Sequence, residues 1–215
     1  MSSEVFDLKS DPMQAADWLI NEQGERLPLI SGRSPEFGDK PYRLYRFLTD
    51  LETILWEIPE DEQRLPEIAV CLRQLLDYSP WLQTYYLEPD PNPGWSILSL
   101  YDEPDFKLTL QIVAWLPGNI SPIHNHGSWG VVALLSGEEK NTFWRRSPTP
   151  ELSDRIEAVD SYILAPGEII TFLPDAIHSV EPLGDEPAIT LNIYGETKVK
   201  NRFEFDPVHH KAWNF

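Results

Sequence analysis

Cysteine is almost absent from this chain: 215 residues hold one, Cys71. A single thiol forms no internal disulfide, so packing must hold the fold, as suits a reducing compartment. Basic residues are also scarce, with 17 Lys and Arg against 35 Asp and Glu and a formal net charge of −18. A surface this acidic repels phosphate backbones and anionic lipid, so neither nucleic acid nor a membrane is an expected partner. No apolar run approaches the ~20 residues that span a bilayer. The opening Met-Ser-Ser-Glu-Val-Phe-Asp lacks the basic and apolar regions of a secretory leader, and a cytoplasmic protein is expected. Histidine is rare too, at five residues, so its placement carries information.

What is present is apolar material. Hydrophobic residues make up 41% of the chain and include eight Trp, enough for the core of one large domain or a domain with an appendage. Residues 1–90 read as a helical segment. Asp11-Pro12 is a helix start, followed by Ala15, Ala16, Trp18, Leu19 and Ile20, and residues 22–41 read as a loop. Helical spacing returns in Tyr42–Ile58 and Asp61–Tyr78, with Pro66 as a kink or restart. These faces should pack on the domain that follows, with Cys71 as a small buried hydrophobe. The Pro-rich stretch 88–95 is a rigid linker. Residues 91–215 then change period. Trp95–Leu100, Lys107–Leu116, Trp129–Leu135, Lys140–Arg146, Arg155–Leu164, Glu168–Phe172, Ile177–Val180 and Ala188–Tyr194 read as strands separated by turn residues, the pattern of an all-β barrel.

Two of the five histidines, His124 and His126, lie one residue apart before the apolar run Val131–Leu135. Extended backbone puts both imidazoles on one face, which is half a metal site. His178, at the end of Ala-Pro-Gly-Glu-Ile-Ile-Thr-Phe-Leu-Pro-Asp-Ala-Ile-His, is the natural third ligand. His209 and His210 sit in a polar tail and read as surface residues. Gly118 precedes His124 by six residues, Gly137 follows His126 by eleven, and Gly167 and Pro174 precede His178. This spacing resembles the two motifs of the cupins, G-x5-H-x-H-x3/4-E-x6-G and a later Gly-Pro-His. The resemblance implies a mainly β fold, a double-stranded β-helix (jelly-roll) barrel with the helical segment at its N-terminal side. The acidic ligand of the first motif is replaced here by Gly130 or Val131.

Three neutral imidazoles without a carboxylate suit Fe(II), Ni(II), Cu(II) or Zn(II) and leave coordination positions open. Within the cupins, the run from Pro122 to Val132 resembles cysteine dioxygenase and the bacterial thiol dioxygenases. That likeness covers about residues 95–196. It implies Fe(II) held by His124, His126 and His178, with O2 and a small thiol as substrates and a sulfinate as product. It also implies a polar trio facing the metal. Here that trio is Thr190, Asn192 and Tyr194, where a plain alternating strand would show the same pattern. Tyr194 and the Thr190 hydroxyl fit the family. Asn192 stands where the family has His, and an amide takes no proton at neutral pH. The family's carboxylate-binding Arg or Gln should lie near Leu98, in Trp-Ser-Ile-Leu-Ser-Leu, and neither is there. Arg145 and Arg146 are the nearest replacements along the chain, although alternation lets only one face inward. Trp129 either walls the site or packs. Two other readings stand beside the dioxygenase: a different metal-dependent cupin enzyme, such as an isomerase or hydrolase, and a non-catalytic cupin that binds a small ligand.

Overall fold

The computed structural model describes residues 17–32 and 41–215. Thirteen strands appear among them. They are β1 (Asp17–Ile20), β2 (Arg26–Pro28), β3 (Trp95–Glu103), β4 (Phe106–Trp115), β5 (Ile123–His124), β6 (Gly130–Ser136), β7 (Glu138–Arg146), β8 (Ile156–Leu164), β9 (Ile169–Phe172), β10 (Ile177–Leu183), β11 (Ala188–Tyr194), β12 (Phe203–Asp206) and β13 (Lys211–Asn214). Three helices, α1 (Leu44–Glu57), α2 (Asp61–Tyr78) and α3 (Pro80–Thr84), lie between β2 and β3.

The strands form two sheets, in the orders β2-β1-β9-β6-β11-β4-β3 and β13-β12-β5-β10-β7-β8. From β4 to β7 the chain crosses between sheets at every connection, and after the β7–β8 hairpin it crosses again at each step to β11. The central quartets β4-β11-β6-β9 and β5-β10-β7-β8 are the strand order of a double-stranded β-helix, so the fold is the expected jelly-roll barrel. All eight strands read from the period-2 pattern are present.

Alternation divides the apolar residues of the seven-stranded sheet between two cores. Val131, Ala133, Leu191, Ile193, Leu110 and Ile112 point outward and pack with Phe47, Leu51, Leu65, Ile68, Leu72 and Leu75 of the helices. Val132, Leu134, Ile170 and Phe172 point inward and pack with Phe143 of the opposite sheet. The helices therefore cover one barrel face, which is why strands such as β6 are buried on both sides. α1 buries Phe47, Leu51 and Ile54, one stripe at helical spacing. α2 runs unbroken through Pro66, so neither a restart nor a new helix begins there. The proline removes only the bond to the carbonyl of Glu62, an exposed residue in the first turn of the helix.

Three readings change at the edges of the chain. Trp18–Ile20 is a strand, not a helix; the proposed start at Asp11-Pro12 lies outside the described residues. β1 pairs in parallel with β9, placing Trp18 and Ile20 in the inner core and Leu19 against the outer one. Three consecutive apolar residues carry no period of their own, and the open edge of β9 decides between helix and strand. Arg73 of α2 bonds both Asp17 and the Gly167 carbonyl, tying helix, β1 and the β9 turn together. Within the expected loop 22–41, Arg26–Pro28 pairs with β1. At the other end, the tail read as polar forms the β12–β13 hairpin, and β12 adds to the barrel beside β5. Cys71 is half-buried against the outer core.

Candidate metal centre

The site is built at the point where β5 meets β10. His124 stands directly opposite His178 across that ladder, and the same residue pairs with Glu204 of β12 on its other side. His126 follows in the turn after β5. Gly127 then adopts φ +60°, and a Cβ there would stand 2.8 Å from the Lys198 carbonyl oxygen, so only glycine fits this turn. Asn125, between the two histidines, is 2% exposed. Its amide donates to the Asn201 carbonyl at 2.8 Å and accepts from the Phe203 backbone N–H at 2.7 Å. That clamp fixes the residues on either side of Arg202 against the site.

His124, His126 and His178 converge, with one ligand atom from each lying within 4.8 Å of the others. The Nε2 atoms of His126 and His178 are 3.0 Å apart. Two nitrogens bound at ~2.1 Å and at right angles around one ion stand about 3.0 Å apart, so this pair is already spaced for a shared metal. Two further ring nitrogens face acceptors. His124 Nδ1 faces the Pro122 carbonyl oxygen at 2.9 Å, and His178 Nδ1 faces Asn141 Oδ1 at 3.0 Å. A carbonyl or amide oxygen only accepts, so both Nδ1 atoms carry the proton and both Nε2 lone pairs are free for a ligand. Burial holds all three imidazoles below the ordinary histidine value, His126 and His178 furthest. Repulsion from neighbouring charged histidines adds to this for those two. Neutral imidazole is the form that binds a metal. The residues present therefore fit a divalent ion of the borderline type.

A cavity of about 530 Å³ opens from this cluster into the barrel. Thr190, Asn192 and Tyr194 of β11 line it from the opposite sheet. They form a one-way ladder: Tyr194 O–H donates to Asn192 Oδ1 at 3.3 Å, and Asn192 Nδ2 donates to Thr190 Oγ1 at 2.8 Å. The Tyr194 ring lies 4.6 Å from the His126 ring, tilted by 31°. It rests on Gly130, where a Cβ would meet the ring at 3.0 Å. The phenol thus covers the position where the motif has an acidic ligand. Burial raises the Tyr194 phenol, with the Glu139 carboxyl nearby adding to the effect, so it stays protonated at neutral pH.

Arg145 and Arg146 do not reach the cavity. Both are exposed at the far end of β7. Arg145 pairs with Glu157, and the Arg146 guanidinium lies 4.7 Å from the Phe205 ring centre on the outer face. Inward alternation runs out once the strand passes the barrel rim. The cavity cation is Arg202 instead. Its Nε is buried with no hydrogen-bond partner among the described residues, and its guanidinium lies 4.0 Å over the Phe215 ring. Gln111, Glu139 and Asn141 also line the cavity and escaped the sequence reading. Alternation along β4 and β7 places them on the inner face, but nothing short of the closed barrel says which face is inner. Trp129 packs in the outer core against Gly195 and does not wall the cavity. His209 is exposed in the β12–β13 turn, bonded to Asp206.

No family model matches the chain. Among solved structures, oxalate oxidase in complex with the substrate analogue glycolate is similar at 13% identity and a TM-score of 0.39, over 53% of this chain and 56% of that one. A cupin superfamily protein from Desulfitobacterium hafniense is similar at 13% identity and a TM-score of 0.40, over 54% of this chain and 88% of that one. A Thermus thermophilus protein, TT1209, reaches 20% identity and a TM-score of 0.38, over 52% and 90%. The chain spans just over half the length of the oxalate oxidase chains it matches.

Proposed function

We propose that this protein is a mononuclear Fe(II) oxidoreductase of the thiol-dioxygenase kind, adding both atoms of O2 to the sulfur of a small thiol that also bears an anionic group. The observation that supports it is the set of three neutral imidazoles, with no carboxylate among them, in a cavity that also holds a cation. His124, His126 and His178 would hold the iron. When bound, Fe(II) supplies a centre on which a thiolate and O2 meet and exchange electron density. The overall change is R–SH + O2 → R–SO2⁻ + H⁺.

The chain's own groups then have separable tasks. Arg202, with an unpaired buried Nε, pairs with the anionic end of the substrate, a charge-assisted contact that the missing residue near Leu98 cannot make. Tyr194 keeps its proton and points it at Asn192. Its oxygen lone pairs are thereby left for the cavity side. Asn192 holds that orientation through Thr190 and moves no proton itself. Phe172, 4.3 Å from the His178 ring, and Leu134 put apolar core behind the histidines.

The test is O2 uptake by anaerobically Fe(II)-loaded protein offered cysteine, 3-mercaptopropionate and cysteamine. Uptake with the two carboxylates, little with cysteamine, and none in His178→Ala is the expected result. An iron-loaded, folded protein that consumes no O2 with any of them would overturn the thiol assignment and favour a different metal-dependent reaction.

A further inference from the structure

We propose that Glu139 is a positioning residue of the metal centre, which acts through Asn141 to hold His178 in its ligating tautomer. The proposal rests on reading the histidines as metal ligands.

Glu139 and Asn141 lie two residues apart on the inner face of β7, 3% and 1% exposed. An ionisable group taken out of water without a cation beside it is costly, so its presence calls for a compensating task. The hydrogen bonds supply one. Asn141 Nδ2 donates to Glu139 Oε1 at 2.9 Å, and Asn141 Oδ1 accepts from His178 Nδ1–H at 3.0 Å. A primary amide can face a ring nitrogen with either end. With its NH2 turned inward it would force the proton of His178 onto Nε2 and block the metal side. Once ionised, the Glu139 carboxylate only accepts, and it then fixes which end faces which. β7 and β10 are adjacent strands with Asn141 opposite Val180 and Glu139 opposite Pro182, so the backbone beneath the relay is rigid. No other partner of that amide nitrogen occurs among the described residues. The arrangement is an outer shell of the kind whose loss costs 10–100-fold in metal affinity.

The experiment uses the full chain and Co(II) alone as probe, with affinity read by visible absorption against a competing chelator. In parallel, 15N spectra of histidine-labelled, metal-free protein report the His178 tautomer without reference to activity. Wild type should show Nδ1–H at His178. Glu139→Leu should weaken Co(II) binding by about 10–100-fold and move the His178 signals. Glu139→Gln should lose less than Glu139→Leu, because its carbonyl can still accept from Asn141, although its amide no longer excludes the reversed orientation. Asn141→Ala should lose as much as Glu139→Leu, and the double variant no more than Asn141→Ala, since the two residues act in series.

Losses that multiply in the double variant would overturn the proposal, as would Glu139→Leu with wild-type affinity and tautomer. Should Glu139→Leu not fold, wild type and Asn141→Ala decide: an Nε2–H tautomer in the first, or unchanged affinity in the second, overturns it. Failure of the underlying metal reading has a different signature, namely no Co(II) binding by wild type or undiminished binding by His178→Ala.

Discussion

Replacing Glu139 by Gln should make the protein more stable at alkaline pH and leave it unchanged in acid. Burial pushes the Glu139 carboxyl from 4.5 up to about 7, opposed only by the bond from Asn141. The folded value therefore lies above the unfolded one. Between pH 4.5 and 7 the folded chain keeps a proton that the unfolded chain has released. The group's contribution is most favourable below pH 4.5, falls as pH rises, and levels off above 7. At about 1.4 kcal/mol per tenfold change in proton affinity, the whole swing is about 3 kcal/mol. That is an upper bound, because Glu139 lines the cavity and its Oε2 has no hydrogen-bond partner among the described residues. The three histidines, with lowered folded values, act in the opposite direction, their contribution growing as pH rises towards 6.5. They are common to both proteins and cancel in the difference. Urea unfolding of metal-free wild type and Glu139→Gln at pH 5, 6, 7 and 8 measures that difference. The advantage of the variant should grow by about 1–3 kcal/mol across the series with an unchanged m-value. A difference that stays flat within about 0.5 kcal/mol would mean that Glu139 is not a buried carboxyl titrating near neutrality, and the reasoning would fail.

Arg202→Gln should raise KM for carboxylate thiols by about 10–100-fold, the loss of one charge-assisted bond, and erase the preference over cysteamine in the O2-uptake assay. Phe215 stacks on Arg202 and stands edge-on to His124 with ring centres 6.2 Å apart. Phe215→Ala should therefore widen the accepted range of thiols, read as a lower KM for bulkier ones, with metal affinity unchanged. Gly130→Ala sets a Cβ at 3.0 Å from the Tyr194 ring and should cost about 1–3 kcal/mol in urea unfolding while displacing the ring from His126.

The barrel was legible because inward and outward residues alternate over long strands such as β4 and β11. The helices were legible because Phe47, Leu51 and Ile54 repeat at 3.6. Where an element is short or borrowed, the pattern is silent. β5 has two residues, β1 exists because β9 offers an edge, and β12 and β13 are four residues each, too short for an alternation such as Phe203-Glu204-Phe205-Asp206 to stand out. The histidines could be found because their spacing is fixed by local turns. Arg202 could not, since its place depends on Asn125 gripping the chain about 77 residues downstream, at Asn201 and Phe203.

One departure from the motif also acquires a cause. A side chain at position 130 and the Tyr194 ring compete for one space beside His126. An acidic ligand there would exclude the phenol, and the phenol excludes the ligand. The three-histidine set and the inward tyrosine are therefore one structural choice, made at a glycine. A barrel that keeps Tyr194 over residue 130 presents a neutral ligand set, which on the proposed function leaves the charge of the ion for the substrate to balance.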